Sequence, residues 1–331
     1  MYDNIKLTLP NAFTDNSKRD EFCTRFELFV RDEQKGIYRN DTYQGLKQCK
    51  GVYISFNTKK NKLFFNFSLH KFYNYSIYGK PFNYNDFDFK EAKIAAAKID
   101  AMFTQYFDIM QASVNCYEVG TNVITSEEPI FYLQELKQIN VQARIIRIIE
   151  DRHYKEYQQY GTHRDKDKRV VYIFYNKTFE ARSKADKADR KEIPDNILRL
   201  EKDNRRTEEK ISFARLFEND FIEQTTKEFK KRFTEDLDYK GQPVQPDNMK
   251  KAEYRLFCLL NEKGADGAKN SLKTDFTERR ISRALYYDNI KTIDKLNKHY
   301  PKIETTITKR AAELNNLIIS KINTVQKYGQ F

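Results

Sequence analysis

Alternation opens the chain: in YDNIKLTL, Ile5, Leu7 and Leu9 alternate with polar neighbours, the two-residue period of a half-buried strand. GVYISFNT and KLFFNFSLHKF follow, separated by the polar turn "KKN", which predicts a β-hairpin. In its second strand Leu63, Phe65, Phe67 and Leu69 share one face, and Asn66, Ser68 and His70 share the other. Elsewhere the period lengthens. A charged helix is predicted over about residues 16–30, and a second helix starts at the Asp-rich segment "NYNDFDFKEAKIAAAKIDAMFTQYF". Its stripe runs through Ala95, Ile99, Met102, Phe103 and Tyr106 at helical spacing. SVNCYEVGTNVIT reads as a strand, EEPIFYLQELKQI as a short helix and VQARIIRII as another strand. The segment 150–168 is polar and reads as a loop or ribbon, before the strands VVYIFYNK and NILRLEKD.

From about Phe217 the pattern turns helical throughout, interrupted by the Pro- and Gly-containing "DLDYKGQPVQPDN". The expected architecture is therefore α+β, an antiparallel sheet with helices packed on one face, followed by an all-helical C-terminal region. The expected division is 1–215 and 216–331. Charge adds a partner class. Sixty Lys and Arg against 48 Asp and Glu give a net charge of +12, which favours a polyanion, nucleic acid before anionic membrane. No apolar run approaches the roughly 18 residues of a membrane span, and MYDNIKLTLP has no basic and apolar leader, so a soluble intracellular protein is expected. Four scattered cysteines (Cys23, Cys49, Cys116, Cys258) argue for reduced thiols and against a zinc site or a disulfide framework.

Missing motifs narrow the chemistry. The chain has no GxxxxGK[ST] loop, no GxGxxG after a strand, no GxSxG and no paired histidines. What remains is polarity on strands. Cys116, Glu118, Gly120 and Asn122 share one face of their strand, Arg199 and Glu201 share a face opposite Leu198 and Leu200, and Tyr175 ends a strand on the face of Val171 and Ile173. If these faces align, Glu118, Glu180 and Glu201 converge with His70 nearby, an oxygen-ligand set suited to Mg²⁺ or Mn²⁺. Ordinary solvated polarity on the wet face of a two-layer domain explains each glutamate taken singly. By the same reasoning His70 is an ordinary surface histidine, and Tyr286–Tyr287 pack in an amphipathic helix.

The ordered series "YDNIKLTLP", "FNFSLHKFYN" with "NYNDF", "YEVGTNVI", "VYIFYNKTFEA" and "ILRLEK" resembles the replication initiation proteins of phages and plasmids. These include the filamentous-phage gene II and gene X proteins and the plasmid rolling-circle initiators, relatives of conjugative relaxases. The resemblance spans about residues 2–205 and rests on the order of short motifs. It implies a metal-assisted tyrosine transesterification that nicks and rejoins one strand of an origin, single-stranded or cruciform, in the cytoplasm of a bacterial host. A host helicase is a second partner it suggests. "FYNKTFE" then points to Tyr175 as nucleophile with Lys177 and Glu180 beside it, "YEVGTN" to Glu118, "LRLE" to Arg199 and Glu201, and "SLHKF" to His70 and Lys71 at the DNA. Tyr73, Tyr172 and Tyr286/Tyr287 are rival nucleophiles. In the helical region, basic runs that include Arg279, Arg280 and Arg283 are expected to contact DNA or a partner. The chain departs from relatives that use paired histidines, so carboxylates must hold any metal. A non-catalytic origin-binding initiator and a mobilisation relaxase or transposase are the alternatives. The oligomeric state is left open.

Overall fold

The computed structural model describes residues 2–40, 51–139, 146–147, 157–161, 170–205, 207, 210–239, 241–247, 249–300, 305–306 and 308–329. The chain begins with β1 (Tyr2–Pro10), α1 (Asn16–Arg25), β2 (Leu28–Asp32), β3 (Ile37–Asn40), β4 (Tyr53–Asn57) and β5 (Lys62–Ser68). Next come α2 (Leu69–Tyr78), α3 (Phe89–Phe103), β6 (Ser113–Ile124), α4 (Pro129–Glu135), β7 (Leu136–Ile139), β8 (Ile146–Arg147) and β9 (Tyr157–Gly161). β10 (Val170–Asn176), α5 (Lys177–Lys184), β11 (Ile197–Asn204), α6 (Asn219–Lys230), β12 (Leu237–Tyr239) and β13 (Gln242–Pro243) follow. α7 (Lys251–Thr277), α8 (Arg283–His299), β14 (Thr305–Thr306) and α9 (Lys309–Gly329) close the chain. The class is α+β.

One ten-stranded sheet dominates, in the order β2-β3-β4-β5-β1-β6-β11-β10-β9-β8. Its described neighbours pair antiparallel. The expected hairpin is β4–β5, with Tyr53 opposite Asn66 and Asn57 opposite Lys62. Two-residue alternation sorts the faces. Tyr2, Ile5, Leu7, Phe65, Phe67 and Phe174 point one way and are buried. Helices cover that face: Phe22 of α1 and Phe103 of α3 meet over Phe65, while Phe233, just past α6, packs on Tyr172 and Phe174. α3 starts where the Asp-rich segment predicts, with Asp88 and Glu91 forming a reciprocal capping box. Lys202 falls on the covered face and is neutralised there by Glu228 at 2.7 Å.

Several expectations change. The strand KLFFNFSLHKF ends at Ser68, where α2 begins and takes Leu69 and His70, and EEPIFYLQELKQI is helical only to Glu135, with Leu136–Ile139 extended as β7. The charged helix stops at Arg25, because Glu27 takes a positive φ of 50° and Leu28–Asp32 then pairs with Ile37–Asn40. Within the polar segment 150–168, Tyr157–Gly161 forms a strand beside β10. The predicted strand VQARIIRII lies outside the described residues except for Ile146–Arg147. The compact units also divide differently from 1–215 and 216–331. One comprises Met1–Asp238 with Glu313–Phe331, and the other Tyr239–Ala312. The reason is that Phe229 and Phe233 belong to the sheet's aromatic core.

In the second unit α7 kinks at Gly264, whose φ of 67° suits glycine. Phe257, Leu260 and Leu272 of α7 bury against Ile293 and Leu296 of α8. No helix among the described residues is long and apolar enough to cross a membrane.

Candidate functional site

On the sheet's other face, cross-strand pairing aligns the polar residues of four adjacent strands. Glu118 lies opposite Asp203, Gly120 opposite Glu201, Asn122 opposite Arg199, and Arg199 opposite Tyr175. β1 contributes through a bulge. Tyr2 pairs with Val119 and Ile5 with Tyr117, so Asp3 and Asn4 together face Glu118. Carboxylate oxygens of Asp3, Glu118 and Glu201 all lie within 4.8 Å of one another.

Arg199 ties this group together. Its Nη2 donates to Asp3 at 2.6 Å, its Nε donates to Glu201, and its Nη1 donates to Asn122 Oδ1 at 3.1 Å. Burial opposes the guanidinium's charge, but Glu201 and Asp3 outweigh it and hold its pKa above the ordinary value. Asp3 is likewise pushed up by burial yet held below the usual carboxylate range by Arg199, His70 and Ser68. Glu118 goes the other way. Burial first, then the charges of Glu201, Asp3 and Asp203, raise its pKa well above normal, against one hydrogen bond from Asn4 Nδ2 at 3.2 Å. With all three carboxylates ionised, the group would carry more negative charge than the one guanidinium offsets, and a divalent cation would neutralise the excess.

Gly120 makes the packing feasible. A Cβ there would sit 3.0 Å from Glu201 Cγ, 3.0 Å from the Leu200 carbonyl oxygen and 3.1 Å from Arg199 Nη2. The glycine of "YEVGTN" thus leaves the space that the arginine and glutamate occupy.

Tyr175, half-buried, donates its phenolic hydrogen to Glu201 Oε1 at 3.0 Å. Burial, and then the charge of Glu201, push its pKa well above that of an ordinary phenol, so the hydroxyl keeps its proton. Its alternatives stand elsewhere. Tyr172 faces the aromatic core, where burial pushes its pKa up to about 12. Tyr286 packs against the core of the second unit, and Tyr73 is tied to Phe87 and Glu91.

Glu180 does not join the acidic group. Asn176 caps α5, and the turn brings Glu180 to Lys177 at 2.6 Å and to Lys184. Burial raises the Glu180 pKa, but Lys177 and Lys184 bring it down to about 2. Lys177 is itself buried, its pKa lowered by that burial, with its Nζ 5.7 Å from the Tyr175 ring centroid. Asp3 takes the place expected of Glu180. The bulge that delivers it depends on how β1 meets β6, and the run YDNIKLTL contains no sign of it.

His70 is not a surface residue. It is 1% exposed, stacks on Phe87 with centroids 4.4 Å apart, and its Nε2 lies 2.6 Å from Asn85 Oδ1. Burial brings its pKa down to about 3, against the pull of Asp3. It therefore stays neutral at ordinary pH and lines, with Asp3, Arg199 and Asn122, a cavity of about 210 Å³. Lys71 borders a different groove, beside Glu180 and Lys184. Arg279, Arg280 and Arg283 are exposed in the second unit, where Arg280 pairs with Asp275 and Glu278. No family model, curated protein or solved structure matched the chain.

Proposed function

We propose that the chain initiates DNA replication by nicking and rejoining one strand of its origin, with Tyr175 as nucleophile. The observation that carries this reading is the 3.0 Å hydrogen bond from the Tyr175 phenol to Glu201, one of three carboxylates gathered with Arg199 on a single sheet face. Asp3, Glu118 and Glu201 are the residues that would hold Mg²⁺ or Mn²⁺. At ligand distances of about 2.0–2.6 Å, one ion spans oxygens up to about 4–5 Å apart, which accommodates the separations of this group. Such an ion, when bound, stabilises negative charge on the phosphate oxygens.

The side chains then have separable tasks. Glu201 accepts the phenolic proton as the Tyr175 oxygen attacks phosphorus. The new O–P bond forms as the P–O3′ bond breaks, and the departing 3′ oxygen takes a proton from water. Arg199 holds Glu201 and Asp3 in position. Lys177 supplies positive charge beside the Tyr175 ring. Because phosphotyrosine retains a phosphate ester, the free 3′-OH can reverse the step without ATP, in keeping with the missing GxxxxGK[ST] loop. The exposed Arg279, Arg280 and Arg283 would contact origin duplex or a helicase partner.

The test is incubation with single-stranded and cruciform origin oligonucleotides and Mn²⁺, followed by denaturing electrophoresis. The expected result is a covalent protein–DNA adduct, absent in Tyr175→Phe and reduced at least roughly 100-fold in Glu201→Gln. An adduct that survives Tyr175→Phe moves the nucleophile elsewhere. DNA binding with no adduct across a randomised oligonucleotide pool replaces this reading with the binding-only initiator.

A further inference from the structure

The acidic centre, itself largely buried, occupies only part of this sheet face, and the same face runs on toward β2, where side chains are exposed. Cross-strand pairing sets its side chains in rows. Phe29 pairs with Arg39, Arg39 with Ser55, Ser55 with Phe64, and Phe64 with Thr8, a single row from β2 to β1. The next row contains Tyr53, Asn66, Lys6 and Cys116, and the one beyond it contains Asn4 and Ser68 beside Glu118. Successive rows are about 6.6–6.8 Å apart along a strand.

This face is aromatic and cationic where a solvated sheet face would be uniformly polar. Phe29 is 53% exposed and Phe64 39% exposed. Lys62 Nζ stands 4.9 Å from the Phe64 ring centroid, and Lys6 and Arg39 are exposed in the adjoining positions. Around Phe64 the surface hollows into a groove of about 510 Å³, bordered by Tyr53, Lys6 and Asn66 and reaching Glu118 of the acidic centre. Water-exposed ring faces offer stacking surfaces, lysine and arginine offer phosphate contacts, and asparagine amides can meet base edges. A duplex hides its base faces inside its own stack and could not use these rings. An unpaired strand could.

We propose that the row of Phe29 and Phe64, with Lys6, Arg39, Tyr53 and Asn66, is a track for single-stranded DNA that delivers the strand to the acidic centre. The inference rests on the strand-transfer reading for the direction of delivery, while the track itself is tested by binding alone.

The chain has no tryptophan, so Phe64→Trp introduces a unique fluorophore on the track. The experiment titrates this variant, without divalent metal, with oligothymidine of roughly 12 nucleotides, within the usual site size of such platforms. Saturable quenching is expected with the oligothymidine, and at most weak quenching with a duplex of equal length. Adding Phe29→Ala or Lys6→Glu, each checked for an unchanged melting temperature, should weaken the apparent affinity roughly tenfold or more.

Oligothymidine binding that leaves the Phe64→Trp fluorescence unaltered overturns the track, as does affinity unaffected by both added substitutions. Equal quenching by polyglutamate would reassign the face to acidic polypeptide. The two readings fail separately. A Tyr175 adduct without a fluorescence response removes the track only, and a response without an adduct removes the strand transfer only.

Discussion

At the residue scale, the acidic centre is held by opposed tendencies, and Glu118 is where they can be measured. Its carboxyl is raised in the folded chain and lies near 4.3 when unfolded. Below about pH 4 both states hold the proton and Glu118 costs nothing. As pH rises past that point the unfolded chain releases it freely, so metal-free stability falls until the folded pKa is passed. Glu118→Gln should therefore melt at the same temperature as the parent near pH 4 and higher at pH 8, both in EDTA. Adding Mn²⁺ should raise the melting temperature of the parent and much less that of Glu118→Gln. Identical pH profiles would mean that Glu118 is not under the strain described. Gly120→Ala should destabilise by about 1–3 kcal/mol, since the added carbon meets a backbone oxygen and the Glu201–Arg199 pair at 3.0–3.1 Å. Denaturant titration checks the stability, and a Mn²⁺ titration should show weakened binding in the same variant.

Among the elements, strand side chains obey a fixed alternation, while residues beyond a strand end do not. Alternation in VNCYEVGTNV, VVYIFY and NILRLE was sufficient to put Glu118, Gly120 and Asn122, then Arg199 and Glu201, then Tyr175 on defined faces, because a strand's side chains can only alternate. Pairing then put those three faces on the same side. Glu180 lies beyond the strand end, where alternation no longer applies, and the turn of α5 points it to Lys177 and Lys184. The opposite face predicts its own cost. Phe233 is fully buried with Phe229, Tyr172 and Phe174 rings within 4.3–5.7 Å. Phe233→Ala should lose about 3–5 kcal/mol in urea unfolding. A loss under 1 kcal/mol would show that the face below α6 is not the packed core described.

For the whole molecule, the chain leaves the sheet-containing unit after Asp238 and returns to it at Glu313. The ends of the intervening unit are adjacent, since Gln242 pairs with Thr306 and Pro243 with Thr305. That is the geometry of a tolerated insertion. Replacing residues 243–305 with a short Gly-Ser linker should preserve the cooperative unfolding and Mn²⁺ response of the remaining unit. If origin-duplex affinity resides in the helices, it should fall in that variant, while oligothymidine binding on the sheet face persists. A chain that no longer unfolds cooperatively would show the two units to be one folding entity. Net charge belongs to this scale too. If the chain binds nucleic acid as proposed, a net charge of +12 predicts an affinity that drops steeply between low and high salt in a binding titration, because counterion release would drive it.

The amino-acid sequence by itself determined the class of fold, the β4–β5 hairpin, the start of α3 and the facing of Glu118, Arg199, Glu201 and Tyr175. These follow from local periods and capping, which act over a few residues. Only the tertiary structure decided that Asp3, not Glu180, completes the carboxylate group, that His70 is buried and neutral, and that the last helix rejoins the first unit. Each of those depends on contacts between segments far apart in the chain. The bulge opposite Glu118 joins residue 3 to residue 118, and no local pattern carries that information.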